Sequence, residues 1–177
     1  MRYAIGIDIR LCVGCMTCVV ACKTENHVPA GHRRVWVTET EHGGADSTRV
    51  DFHSQRCNHC DNSPCVPVCP TGASKKRADG IVVVEQKDCI ACGACIEACP
   101  YGARFLHPDG YASKCTYCAH LVEQGLEPAC VASCPADCMV FGDLDDPTSR
   151  ISELVRIQPH HVLQPEKGTK PRGLYFT

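Results

Sequence analysis

Apolar and polar positions alternate only in short runs along this chain. Tyr3-Ala4-Ile5-Gly6-Ile7-Asp8 alternates as a strand does, and comparable runs predict strands at Val35–Thr40, Ile81–Val84 and Met139–Gly142. Short helices are predicted at Cys18–Thr24, Cys95–Cys99, Thr116–Gln124 and Ala129–Cys134. A longer helix is predicted at Ser149–Ile157, capped by Thr148 or Ser149. Gly43-Gly44-Ala45-Asp46 reads as a hairpin turn inside the linker Glu25–Asp51. After the last helix, Leu163 to Tyr175 holds too many breakers for a helix. It reads as an extended arm laid over a partner or as a loose terminus. Elements this short do not stand alone in water, so the core needs another source of cohesion.

Composition says what that source is. The 177 residues include one Trp, four Phe and five Tyr, but seventeen Cys. Sixteen of those fall into four groups of four: Cys12, Cys15, Cys18, Cys22; Cys57, Cys60, Cys65, Cys69; Cys89, Cys92, Cys95, Cys99; and Cys115, Cys118, Cys130, Cys134. The first and third groups follow C-x2-C-x2-C-x3-C, the run that binds cubane 4Fe-4S clusters. Disulfides fit poorly, because the count is odd and the tight triads converge on one point. Zinc needs only two C-x2-C pairs, which leaves the third cysteine of each triad redundant. Four 4Fe-4S clusters are therefore expected, with metal loading and folding as one event.

In two-cluster ferredoxins the fourth cysteine of each run binds the other cluster. Only Ser74–Asp88 separates groups two and three, which favours pairing them and pairing group one with group four. Spacing alone leaves the pairing of one with two and three with four open. On the favoured reading the ligand sets are Cys12, Cys15, Cys18 with Cys134; Cys115, Cys118, Cys130 with Cys22; Cys57, Cys60, Cys65 with Cys99; and Cys89, Cys92, Cys95 with Cys69. The expected fold is α+β, with two interlocked ferredoxin-like halves of two clusters each and an extended C-terminal arm. Residues 1–50 with 108–148 form one discontinuous half, residues 51–107 the other, and residues 149–177 the helix and docking arm.

An internal repeat closes three groups: Cys69-Pro70-Thr71-Gly72-Ala73, Cys99-Pro100-Tyr101-Gly102-Ala103 and Cys134-Pro135-Ala136-Asp137-Cys138. Cys138 stands where the repeat has Ala, so it reads as a small buried thiol beside a cluster and not as a fifth ligand. His59, between two ligands, is a candidate hydrogen-bond donor to a cluster. Lys23, Lys114 and Arg104 lie close enough in sequence to ligands to raise nearby potentials. The net charge of −2 comes without a block of like charge, which argues against nucleic acid or an anionic membrane as partner. Lys75-Lys76-Arg77 reads as a solvated turn. No membrane span and no signal peptide are visible. No catalytic motif is present, so any substrate is expected to meet a different polypeptide.

Several phrases carry a resemblance: Cys12-Val13-Gly14-Cys15, Cys22-Lys23-Thr24-Glu25-Asn26, Cys57-Asn58-His59-Cys60, Pro64-Cys65-Val66-Pro67-Val68-Cys69-Pro70, Lys114-Cys115-Thr116, Pro128-Ala129-Cys130-Val131 and Phe141-Gly142-Asp143-Leu144. With them the chain resembles the four-cluster iron–sulfur subunits of molybdopterin oxidoreductases over nearly its whole length. Cys89-Ile90-Ala91-Cys92-Gly93-Ala94-Cys95, Leu106-His107-Pro108 and the tail Gln164 to Pro171 make it most similar to the iron–sulfur subunits of the polysulfide reductase type. The resemblance implies an electron relay without catalysis of its own, and the same pairing of groups. It also implies a bis-pterin molybdenum or tungsten catalytic subunit and a polytopic, quinone-reactive membrane subunit. The expected location is peripheral to the cytoplasmic membrane, on its outer face. Cys92 stands where some relatives have Trp, so four 4Fe-4S clusters are implied. A free-standing polyferredoxin shuttle and a structural zinc or disulfide scaffold are the rival readings.

Overall fold

The computed structural model describes residues 1–44 and 47–177. Its elements are short and mostly hairpins. β1 (Tyr3–Asp8) leads into the first cysteine group, and α1 (Thr17–Glu25) carries that group's last two cysteines. β2 (Val35–His42) and β3 (Arg49–Arg56) form an antiparallel pair between groups one and two. β4 (Ser74–Lys76) pairs with β5 (Val82–Val84) between groups two and three, and a 3-10 turn follows at Gln86–Asp88. α2 (Ala94–Glu97) carries Cys95, and β6 (Arg104–His107) pairs with β7 (Tyr111–Lys114) between groups three and four. α3 (Ala119–Val122) and α4 (Ala129–Ala132) flank the long gap in group four.

β8 (Met139–Asp143) then pairs antiparallel with β1, placing Ile7 opposite Met139. The strand that leaves group four thus lies beside the strand that enters group one. This is the same relation that β4 and β5 give to groups two and three. α5 (Arg150–Ile157) follows, and Ser149, not Thr148, caps it by accepting the Ser152 N–H at 3.3 Å.

The tail differs from the expected arm or loose end. β10 (Gly173–Phe176) runs parallel to β1, and β9 (His160–His161) pairs with β10, giving a sheet ordered β8-β1-β10-β9. Leu174, Tyr175 and Phe176 are buried, so the end of the tail completes this chain's own core. The segment before it is pinned to the loop after Cys57. Arg172 forms an ion pair with Asp61 at 2.5 Å, and the Asp61 and Asn62 N–H groups donate to Lys170 and Thr169 carbonyls at 2.9 Å. Pro165, Gly168 and Pro171 disguise this arrangement, because these breakers precede a strand of only four residues.

The linker Glu25–Asp51 also holds more order than expected, since β2 extends to His42 and β3 begins at Arg49. Of the expected turn at Gly43-Gly44-Ala45-Asp46, Ala45 and Asp46 lie outside the described residues. Among the described residues no helix is long and apolar enough to cross a membrane.

One core cluster is conventional, with Ala4, Val140, Ile151, Leu174 and Phe176 packed under α5. The larger one is built around Cys18, Cys22, Cys57, Cys115 and Cys130 together with Ile5, Ile7 and Tyr175. The two clusters separate ordinary packing from packing that depends on the cysteines. Ile151→Ala should cost about 2–5 kcal/mol, because Ile151 is fully buried. Ile157→Ala on the same helix should stay within about 0.5 kcal/mol, because Ile157 is 62% exposed. Thermal melting followed by circular dichroism reads both, and equal losses would contradict the packing described.

Candidate metal centres

The sixteen grouped cysteines gather into four sets. At site I, Cys12 and Cys15 from the loop after β1 and Cys18 from α1 face Cys134 just beyond α4, and the four line one cavity. At site III, Cys57, Cys60, Cys65 and Cys99 line another. At site IV, Cys69, Cys89, Cys92 and Cys95 line a third. Site II is tighter and joins α1 to group four. Asn26 Nδ2 lies 3.7 Å from Cys22 Sγ and 3.6 Å from Cys118 Sγ, and buried Cys115 and Cys130 lie beside Cys22. Each set takes three cysteines from one group and one from another. None of the seventeen cysteines is bonded to another.

These cysteines stand back around a volume. Among the described residues no three His, Cys, Asp or Glu side chains come close enough to hold a single ion. A tetrahedral zinc needs four sulfurs within about 2.3 Å of one point, whereas a polynuclear group needs a wider ring.

The backbone repeats one device at every site. The residue before the second cysteine of each leading C-x2-C has a positive φ: Gly14 at 67°, His59 at 42°, Ala91 at 56° and Tyr117 at 52°. Three of these four are not glycine, and each such residue costs roughly 1–2 kcal/mol. The turn makes a nest of N–H groups of the kind that holds anions and iron–sulfur sites. Other N–H groups already reach ligand sulfurs, Ser74 to Cys69 at 3.3 Å and Ala112 to Cys89 and Tyr117 to Cys115 at 3.4 Å. The closing repeat is kept as well: Gly72, Gly102 and Asp137, aligned in sequence, have φ of 69°, 57° and 47°.

Electrostatics points to an anionic occupant. Burial and the neighbouring Cys130 and Cys118 push the Cys22 thiol up to about 12, and burial takes Cys60 to about 11. Cys115 and Cys130 are also raised by burial. Left to themselves these groups would be neutral thiols, and metal coordination would ionise them. Yet Arg56, Arg104 and Lys114 are buried against them, at 3%, 5% and 2% exposure. Arg104 donates to Cys65 Sγ at 2.8 Å and Arg56 to Cys130 Sγ at 3.3 Å. Arg56 Nε, Arg104 Nε and Nη1, and His59 Nε2 are buried with no hydrogen-bond partner among the described residues. Buried donors without acceptors are costly, so they fit a group that brings its own sulfides to the cavities.

The sequence candidates divide on these observations. Arg104 and His59 line site III, and Lys114 is buried beside Cys115. His59 Nδ1 accepts the Val82 N–H at 2.9 Å, which leaves the proton on Nε2. Burial, reinforced by Lys114, Arg104 and Arg172, holds that ring neutral. Lys23 instead donates to the His32 carbonyl at 2.6 Å. Cys138 lines site I, 3.4 Å from Cys134 Sγ, and its thiol lowers the pKa of Cys12 by hydrogen bonding. Sequence reasoning misses Arg56. Its signal is the placement of a cation at the inward end of β3, immediately before Cys57.

Comparison with known proteins agrees with this chemistry. A family model described as "4Fe-4S dicluster domain" matches residues 48–144, and another of the same description matches residues 11–73, so the two overlap at 48–73. The chain is 47% identical to a tetrathionate reductase subunit of Salmonella typhimurium, covering 99% of this chain and 72% of that protein. It is 43% identical to protein NrfC of Escherichia coli K12, covering 97% and 79%. It is 34% identical to the arsenate respiratory reductase iron–sulfur subunit ArrB of Shewanella sp. ANA-3, covering 99% and 96%. The chain belongs to the 4Fe-4S dicluster family, as an α+β iron–sulfur electron-transfer subunit of the kind found in these reductases.

Proposed function

We propose that this chain is the electron relay of a molybdopterin oxidoreductase complex and holds four 4Fe-4S clusters. Bound clusters would supply the one-electron carriers. The ligands are Cys12, Cys15, Cys18 and Cys134 at site I, and Cys22, Cys115, Cys118 and Cys130 at site II. They are Cys57, Cys60, Cys65 and Cys99 at site III, and Cys69, Cys89, Cys92 and Cys95 at site IV. Residues 1–50 with 108–148 then form one ferredoxin-like half and residues 51–107 the other. One observation carries the reading: the cysteines gather into four quartets, three of them lining cavities, beside buried donors that have no partner among the described residues.

The protein's part is to hold the carriers in a row and keep water away. Sites II and III meet through buried Cys115 and Cys57 and through the His59–Tyr117 stack, whose ring centroids are 3.8 Å apart. Sites I and IV lie at the ends and open outward through exposed Cys15 and Cys92. Leu11, Val13 and Val20 are exposed around the first, and Ile90 and Val68 around the second. Apolar residues bared at both ends suit docking to partners better than a free shuttle. The partners proposed are a bis-pterin molybdenum or tungsten subunit of the sulfur-compound reductase type and a polytopic quinone-linked membrane subunit. They would hold the chain at the outer face of the cytoplasmic membrane.

Affinity purification from the native host should return a brown chain that bleaches with dithionite, bound to a large pterin-containing polypeptide. A persistent brown monomer would favour the shuttle, and a colourless zinc protein would end the relay reading. Cys92→Ala should lower the iron content by one to four atoms per chain, about one cluster's worth at most. Cys138→Ala should leave it unchanged. Iron loss from the Cys138 variant equal to that of Cys92→Ala would make Cys138 a ligand.

A further inference from the structure

The buried cations have a regular placement. Arg56 lies between sites I and II. Its Nη1 donates to Cys130 Sγ of site II at 3.3 Å, and its Nη2 donates at 2.5 Å to Ser54 Oγ, which is itself 3.3 Å from Cys18 Sγ of site I. Lys114 lies between sites II and III. Its Nζ donates to the carbonyls of Cys115, a site II cysteine, and Val82, a residue lining site III. Arg104 lies between sites III and IV. Its Nη2 donates to Cys65 Sγ of site III at 2.8 Å, and Cys95 of site IV interacts with the same guanidinium.

None of the three forms an ion pair with a carboxylate among the described residues. Buried charges are ordinarily paired, because an unpaired one is expensive. Arginine cannot shed its proton, so the two guanidiniums are fixed charges at any working pH.

We propose that Arg56, Lys114 and Arg104 are inter-site counter-charges, one between each neighbouring pair of sites, that offset the repulsion between electrons held at adjacent positions. The inference rests on the cluster reading above and adds a design to it. Each added electron brings one negative charge, and at close range in a low-dielectric interior that charge disfavours a second electron next door. A cation set between the two sites attracts the electron at either one, which offsets that repulsion and lets the relay hold several electrons at once. The two ferredoxin-like halves each have one Arg at their centre, and Lys114 stands at the junction.

The test is a potentiometric titration of the iron-loaded full chain, followed by electron paramagnetic resonance, with Arg56→Gln, Arg56→Lys, Arg104→Gln and Arg104→Lys. Iron is counted first. An unmodified chain without iron sinks the cluster reading itself, whereas normal iron with unmoved potentials sinks only this inference. Each Gln variant should make reduction of two of the four clusters harder by at least tenfold, or 59 mV for a one-electron couple. The other two clusters should stay in place, and the Lys variants should keep the parent potentials. A Gln variant that fails to load iron while its Lys counterpart loads normally also supports the charge. Equal shifts in Lys and Gln, no shift in Gln, or loss of iron in both would overturn it.

Discussion

Arg56, Arg104 and Lys114 are buried and pair with no carboxylate among the described residues, and the rest of the structure depends on what answers their charge. A bare interior of this kind would carry cations beside neutral, burial-raised thiols, which is about the least favourable arrangement a core can have. On the proposed function, four thiolate-bound iron–sulfur groups would reverse that balance. They would ionise the thiols, bring sulfides to donors such as Arg104 Nη1 and His59 Nε2 that have no partner among the described residues, and supply the negative charge that the guanidiniums lack.

The same requirement accounts for the plainness of the fold. Hairpins built from strands of three to eight residues, β2–β3, β4–β5 and β6–β7, connect successive cysteine groups. Each is anchored at its ends to cysteine groups, which on the proposed function are cluster ligands. Chain closure is achieved at the β8-β1-β10-β9 sheet, where the exit from group four, the entry to group one and the tail come together. Positive φ at His59, Ala91 and Tyr117 is the backbone's share of the cost, placed where N–H groups must turn toward an anion.

Legibility from sequence follows the covalent constraints. The cysteine spacing, the Cys-Pro repeat and the first strand are readable because each is local: ligand intervals, a proline stop, an alternating run. The helix expected at Thr116–Gln124 is shorter in the structure, α3 at Ala119–Val122, because an αL turn at Tyr117 and Cys118 takes the first residues. The tail hides its strand because four residues after three breakers have no periodicity to show; only the parallel partner β1 makes them a strand. Arg56 escapes notice for a related reason. An arginine in an otherwise polar strand looks solvated, and nothing local reveals that Ser54, Cys130 and Met139 enclose it.

The most direct measurement is native mass spectrometry of the anaerobically purified chain released from its complex. It should show the polypeptide carrying four 4Fe-4S units, about sixteen irons and as many sulfides, with every bound unit lost in steps of one cluster. A folded chain with the same α+β secondary structure but no iron or sulfide mass would contradict it, because the buried cations would then be stable without the anions assigned to them.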